Sequence, residues 1–194
     1  EYGTFVPEGG MEQISQSLYQ LAMRQGVKFH FNQHVTEILH TKNRVSSVVV
    51  DEQKIPADVI VSNMDVFPTY RKLLPNAKAP EKILAQERSS SAVIFYWGIQ
   101  KQFPSLDLHN IFFSADYKAE FDAIFNTHSL YDDPTIYVNI TAKDVPSDAP
   151  RGCENWFVMI NTSADHGQDW ESDLVSLREK VLDKLEQQLG TSIR

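Results

Sequence analysis

Three histidines fall close together near the start of the chain, His30, His34 and His40. His30 and His34 are four residues apart, the spacing that puts two ligands on one face of a helix and can begin a metal site. The surrounding residues argue against a helix. Val27-Lys28-Phe29-His30-Phe31 alternates with period two, Asn32-Gln33 reads as a turn, and no third ligand stands at a suitable spacing. No metal ligand is assigned. Cys153, His166 and Asp165 are the residue types of a nucleophile, a base and an orienting acid. Cys153 follows Gly152 in a loop, however, without the flanking residues of a cysteine protease. No catalytic residue is assigned either. Asn139-Ile140-Thr141 and Asn161-Thr162-Ser163 match the glycosylation acceptor pattern, but both lie at strand ends in a chain without a secretory signal, and read as coincidence. Gly-x-Gly-x-x-Gly does not occur, so the chain lacks the backbone-amide cradle that holds a dinucleotide pyrophosphate.

Aromatic residues offer a different chemistry. Phe95, Tyr96, Trp97, Phe112, Phe113, Tyr137, Trp156 and Phe157 sit on four predicted strands. Alternation sends some to each face of a sheet. One set can form a core against helices. The other needs a cover as well: a further domain, an apolar ligand or a partner. A sheet whose aromatics all serve as core and a sheet that walls an apolar channel are both compatible with this pattern.

The elements that must position these residues follow from periodicity. Gly9-Gly10 supplies a side-chain-free turn. Ile14, Leu18, Leu21 and Ala22 share one face of a helix that Gln25-Gly26 ends. Strands are predicted at Val27–Phe31, Val35–His40 and Val45–Val50, the last two joined by a turn at Lys42-Asn43-Arg44. Asp51-Glu52-Gln53-Lys54 reads as the next turn. It leads to a strand Val59–Val61 whose unbroken apolar run suits the central sheet of a nucleotide-binding domain. Short helical stretches are predicted at Thr69–Leu74 and Glu81–Arg88, with Pro75–Pro80 as linker. Strands follow at Ser91–Ile99, Asn110–Ser114, Thr135–Thr141 and Asn155–Asn161, with a helix Tyr117–Phe125 among them. Trp170–Leu189 closes the chain as an amphipathic helix carrying Leu174, Leu177, Val181, Leu182, Leu185 and Leu189.

Four segments in order carry a resemblance. They are Pro7-Glu8-Gly9-Gly10-Met11, Gly26-Val27, Val35-Thr36-Glu37-Ile38 and Ala57-Asp58-Val59-Ile60-Val61-Ser62-Asn63-Met64-Asp65. In these the chain resembles the bacterial phytoene desaturase (phytoene dehydrogenase) family, FAD-dependent carotenoid oxidoreductases related to amine oxidases. Similarity continues through Asn110–Ser114, Asp133–Asn139 and Glu154–Val158, and so covers nearly the whole chain. The resemblance implies an α+β or α/β fold. Residues 1–65 would be a segment of an FAD/NAD(P)-binding domain lacking its fingerprint. Residues 66–194 would be a substrate domain with a mixed or antiparallel sheet covered by helices. It further implies that Val35 contacts the adenine of FAD through its backbone and that Ser62-Asn63 approach the nucleotide edge of the site. The implied reaction is desaturation, isomerisation or saturation of a long isoprenoid such as phytoene, with flavin as hydride acceptor. An amine substrate, or a non-catalytic apolar-ligand module built on the aromatic sheet, are the alternatives. Gly9-Gly10-Met11 and Asn63-x-Asp65 match the carotenoid branch better than the amine branch.

Composition sets the outer bounds. With 194 residues the chain can build one sizeable core or two small ones. Its net charge of −8 and lack of a basic run make nucleic acid an unexpected partner. A lone cysteine excludes an internal disulfide framework and accords with a reducing, cytoplasmic location. No apolar run approaches the roughly 20 residues of a membrane span. Because carotenoids dissolve in membranes, the resemblance implies peripheral membrane association of a longer parent. The chain begins without Met, in what reads as a strand, so it is expected to be an internal piece of that parent, inactive alone and binding FAD weakly or not at all.

Overall fold

Gly9 and Gly10 both take positive φ, 81° and 85° in the computed structural model, a pair of conformations open to glycine and costly for any residue with a Cβ. The structure describes residues 3, 5–42 and 44–194; Glu1, Tyr2 and Thr4 of the start that reads as a strand, and Asn43 at the centre of the predicted turn, lie outside the described residues. The chain divides into two units. The first comprises the residues up to Pro7 together with Met11–Glu87, and the second Glu8–Gly10 together with Arg88–Arg194.

The first unit opens with α1 (Glu12–Arg24), which ends where expected: Gly26 adopts φ +83° and the Val27 N–H donates back to the Ala22 carbonyl at 3.1 Å. Then come β1 (Val35–Thr41), β2 (Arg44–Val50) and β3 (Gln53–Pro56), an antiparallel meander in the order β1-β2-β3. Val48 pairs with both Ile38 and Ile55. A short helix α2 (Val66–Pro68) runs on into a wide turn, Thr69–Leu73. Asp65 starts it by accepting the Phe67 N–H at 2.9 Å. Ile38, Val50 and Leu73 form the small buried centre of this unit.

Three expectations fail here for physical reasons. The turn after β2 takes only Asp51 and Glu52, both at positive φ (47° and 64°), as a two-residue hairpin turn matched to strand twist requires. Gln53 and Lys54 therefore belong to β3 instead of the turn. Val27–Phe31 and Val59–Val61 are not strands, although their local sequences favour extended backbone. A strand exists only where a neighbour accepts its hydrogen bonds, and among the described residues none lies beside either segment. Phe29 and Phe31 pack edge-on or tilted against Tyr19 of α1 instead, at 4.5 and 6.0 Å between ring centroids. Val59 and Val61 are left 78% and 90% exposed, and Leu18 on the apolar stripe of α1 is 62% exposed.

The second unit is a four-stranded antiparallel sheet. Its strands are β4 (Ser91–Ile99), β5 (His109–Phe112), β6 (Ile136–Asn139) and β7 (Glu154–Thr162), in the order β4-β7-β6-β5. α3 (Glu81–Leu84) is the last element of the first unit, while in the second α4 (Tyr117–Asp122) follows β5 and α5 (Trp170–Leu189) follows β7. The expected antiparallel sheet is present, and α5 keeps the predicted bounds. One face packs Val93, Ile99, Ile136, Val138, Trp156, Val158 and Ile160 against Leu177, Val181 and Leu185 of α5. Each fully buried aliphatic side chain of this kind stabilises by about 1.5–3 kcal/mol.

Ionic ties close the edges of this core. Lys184 of α5 donates to Asp133 at 2.6 Å and to the Phe113 and Pro134 carbonyls at 2.9 Å each. Burial works to raise the Asp133 pKa, but the Ala115 N–H at 2.7 Å and the Lys184 ammonium outweigh it and hold the carboxyl below its ordinary value. A depressed folded-state pKa gives stability that is present above the unfolded value and lost as pH falls through the folded one. Asp133→Asn is expected to cost about 1 kcal/mol near neutral pH, a modest figure because the carboxyl is partly solvated. That gap should narrow from about pH 5 downwards, through and below the unfolded value near 3.9. Urea midpoints of both proteins between neutral pH and about pH 3 measure this. A gap that stays constant over that range would contradict the assignment.

Candidate functional site

Register decides which aromatic residues are available for function. Tyr96 pairs with Phe157 across β4 and β7, Phe157 pairs with Asn139, and Tyr137 pairs with Met159 and Ile111. Since paired residues share a face, Ile94, Tyr96, Ile111, Tyr137, Phe157 and Met159 form one surface opposite the α5 core. Phe95, Trp97, Phe112 and Trp156 turn the other way and join that core. The aromatic set thus splits as alternation requires, and the face opposite the core stays open: Tyr96 is 78% and Ile111 55% exposed. The rings pack edge to face, Tyr96 on Phe157 at 5.5 Å and Tyr137 on Phe157 at 6.3 Å between centroids, which fixes a firm apolar floor.

At one end of this floor is a cavity of about 670 Å³, bounded by Tyr96, Phe157, Asn139, Asn155, Pro150 and Cys153 among others. That volume is in the range of small-molecule pockets. Two short turns, Thr141–Lys143 and Pro146–Asp148, shape its rim. Asn155 holds them by donating to Thr141 Oγ1 at 2.7 Å and accepting the Ala142 N–H at 3.0 Å, while Thr141 donates to Asp148 at 2.5 Å. Beneath lies a buried ionic cluster. The Glu154 carboxylate, 3% exposed, accepts from the Phe103 N–H at 2.9 Å, the Trp156 indole N–H at 2.8 Å and the Lys143 ammonium at 2.7 Å. Sequence reasoning missed Asn139, Asn155, Ile94, Met159 and Glu154. Only their register on the strands distinguishes them from ordinary sheet residues.

The other candidates are placed as follows. Val35 opens β1, half-buried and paired with Val50, with a ladder irregularity between it and Glu37. Ser62 and Asn63 lie on the exposed stretch before α2. The Ser62 hydroxyl accepts the Met64 N–H at 3.3 Å and meets Thr69 Oγ1 at 3.2 Å. Cys153 sits just before β7 and His166 just beyond its far end, so ten or so residues of extended chain, roughly 30 Å, separate nucleophile from base. His166 stacks on His128 at 3.9 Å, and Asp165 accepts the Gly167 N–H at 3.0 Å. His30 and His34 are exposed, and His40 Nδ1 donates to the Lys42 carbonyl at 3.1 Å. Among the described residues no group of three His, Cys, Asp or Glu could hold a metal ion, and no helix is long and apolar enough to cross a membrane.

Known proteins bear on this geometry. Over 191 residues the chain is 57% identical to a 1-hydroxycarotenoid 3,4-desaturase of a Flavobacterium species, a match covering 98% of this chain and 39% of the relative. It is 28% identical over 215 residues to a phytoene desaturase of Fusarium fujikuroi, covering 98% of this chain and 38% of that protein. The chain therefore spans about two fifths of the length of these relatives. A crystal structure of an oxidoreductase from Methanosarcina mazei superposes with a TM-score of 0.62 at 17% identity, covering 93% of this chain and 39% of that one, and shares its fold. Residues 1–192 match the model of the flavin containing amine oxidoreductases, so the chain belongs to that family of oxidoreductases, among relatives that are carotenoid desaturases.

Proposed function

We propose that this chain is part of an FAD-dependent oxidoreductase that desaturates a long isoprenoid of the carotenoid class. The observation that carries the reading is the open face of the β4-β7-β6-β5 sheet, a firm apolar floor within a flavin-family chain. The hydrocarbon chain of a polyene has no charge or donor to recognise, so a protein holds that chain by removing apolar surface from water. Ile94, Tyr96, Ile111, Tyr137, Phe157 and Met159 do this as one wall of a channel whose remaining walls lie elsewhere in a longer protein. The alternating positions of this face carry no carboxylate to pair with an ammonium group, which disfavours an amine substrate. The 57% identical relative is named for a hydroxylated carotenoid, and the substrate proposed here belongs to the same class.

In the first unit, Val35, Ser62 and Asn63 are the residues proposed to meet the nucleotide end of FAD. The irregularity beside Val35 supports this, because a bulged strand frees backbone groups from the ladder to meet a ligand. When bound, the flavin supplies the hydride acceptor. The protein's own contribution is to align the saturated carbon pair and to exclude water. Peripheral attachment to a membrane at the cytoplasmic side completes the proposal, since the substrate resides in lipid.

Two experiments test it. Full-length protein incubated with FAD and an acyclic polyene should yield a product two hydrogens lighter, read by mass spectrometry. An unchanged polyene, or one that gains only oxygen, would refute desaturation. The isolated chain, lacking the phosphate cradle, is expected to bind FAD at least about a hundredfold more weakly than the full-length protein, by titration calorimetry. Equal affinities would place the whole cofactor site within these residues and overturn the proposed division.

A further inference from the structure

Where the apolar floor meets the cavity, a polar cluster interrupts it. Asn139 lines the cavity, and its Nδ2 donates to the Leu108 carbonyl at 3.0 Å, which fixes the orientation of the amide. His109 Nδ1 lies 3.2 Å from Asn139 Nδ2 and 2.8 Å from the Tyr137 hydroxyl. An amide has two donor hydrogens and one acceptor oxygen. With Nδ2 turned toward the Leu108 carbonyl, the group left to a ligand is the Oδ1 carbonyl. It receives no hydrogen bond from the described residues. The His109 ring lies over Tyr137 with centroids 6.0 Å apart, so the cluster is held in place from the side as well.

We infer that this cluster reads one end of the substrate: Asn139 Oδ1 accepts the hydrogen bond of a hydroxyl borne on the terminal unit of an otherwise apolar isoprenoid seated in the cavity. The inference rests on the reading of the open face as a substrate wall and adds selectivity to it. A hydrocarbon end would cover Oδ1 and leave it without a partner, which costs free energy. An ether end has the same oxygen but no hydrogen to donate, so it fares no better. Selection is for a donor and not for polarity in general.

Full-length protein tests this by equilibrium binding, followed through quenching of tryptophan emission, since Trp97 and Trp156 stand on the strands that floor the cavity. The ligands are an acyclic polyene hydrocarbon, its terminal alcohol and the methyl ether of that alcohol. The alcohol should bind about tenfold more tightly than either of the others, the scale of one neutral hydrogen bond. Asn139→Leu should bind all three alike, with the hydrocarbon as its own check on folding. If the wild-type protein binds alcohol and hydrocarbon within twofold, or Asn139→Leu keeps the preference, the inference fails while the open-face reading stands. If none of the three binds the wild-type protein, both fall together.

Discussion

Met159→Lys in the full-length protein is expected to lower kcat/KM for an acyclic polyene by about a hundredfold while leaving the fold intact. Met159 stands on the inner strand β7, paired with Ile94 on one side and Tyr137 on the other, at the middle of the open face. Without substrate, a lysine there can lift its ammonium into water along a flexible stem. With a polyene laid over it, the charge must be buried against hydrocarbon, at a cost of about 2.5–3.5 kcal/mol on insertion scales. Each 1.4 kcal/mol is a factor of ten, so the loss is on the order of a hundredfold. Met159→Leu keeps volume and polarity and should stay within about threefold. Steady-state kinetics together with a thermal melt separate the two effects. Loss of activity with an equal loss in Met159→Leu would assign Met159 to packing alone.

Glu154→Ala is expected to be the most destabilising single change in the second unit. The carboxylate is 3% exposed and collects three donors, and its removal leaves the Lys143 ammonium, the Phe103 N–H and the Trp156 indole N–H short of their partner. Breaking a buried pair from one side costs about 3–5 kcal/mol. For a domain of this size that is a fall in Tm on the order of 15 °C or more. Glu154→Gln keeps an acceptor oxygen and should lose less. Lys143→Met combined with Glu154→Gln should recover part of the single-mutant losses, because the two residues are coupled. If Glu154→Ala costs under about 1 kcal/mol, Glu154 and its donors do not hold the cavity rim in place.

Much of the second unit was legible because its signals are strong and local. Ser91–Ile99 is dense in β-branched and aromatic residues, and the leucines of α5 repeat at helical spacing, so both elements appear at their predicted bounds. Val27–Phe31 and Val59–Val61 show what propensity leaves out. Both sequences favour extended backbone, but a ladder needs a partner strand, and none among the described residues lies beside them. The hairpin after β2 turns on Asp51 and Glu52, which take the left-handed conformation, so Gln53 and Lys54 of the expected turn pair in β3 instead. At the site, the number of aromatic residues was readable but their division between faces was not. That division depends on which residue pairs with which, and a slip of one position inverts it. Asn139 was the least visible of all. In sequence it is one member of a coincidental acceptor pattern, whereas its chemistry comes from the Leu108 carbonyl and the His109 ring, about thirty positions away in the chain.

The most direct test of the central claim is anaerobic mixing of the full-length, FAD-loaded protein with an acyclic polyene while the visible flavin band is followed. If the polyene laid on the open face gives up hydrogen to flavin, the band should bleach in step with polyene added, and Met159→Lys should slow that bleaching. If the polyene binds and the flavin stays oxidised, the sheet holds a ligand without delivering it to the cofactor, and the desaturase account is wrong.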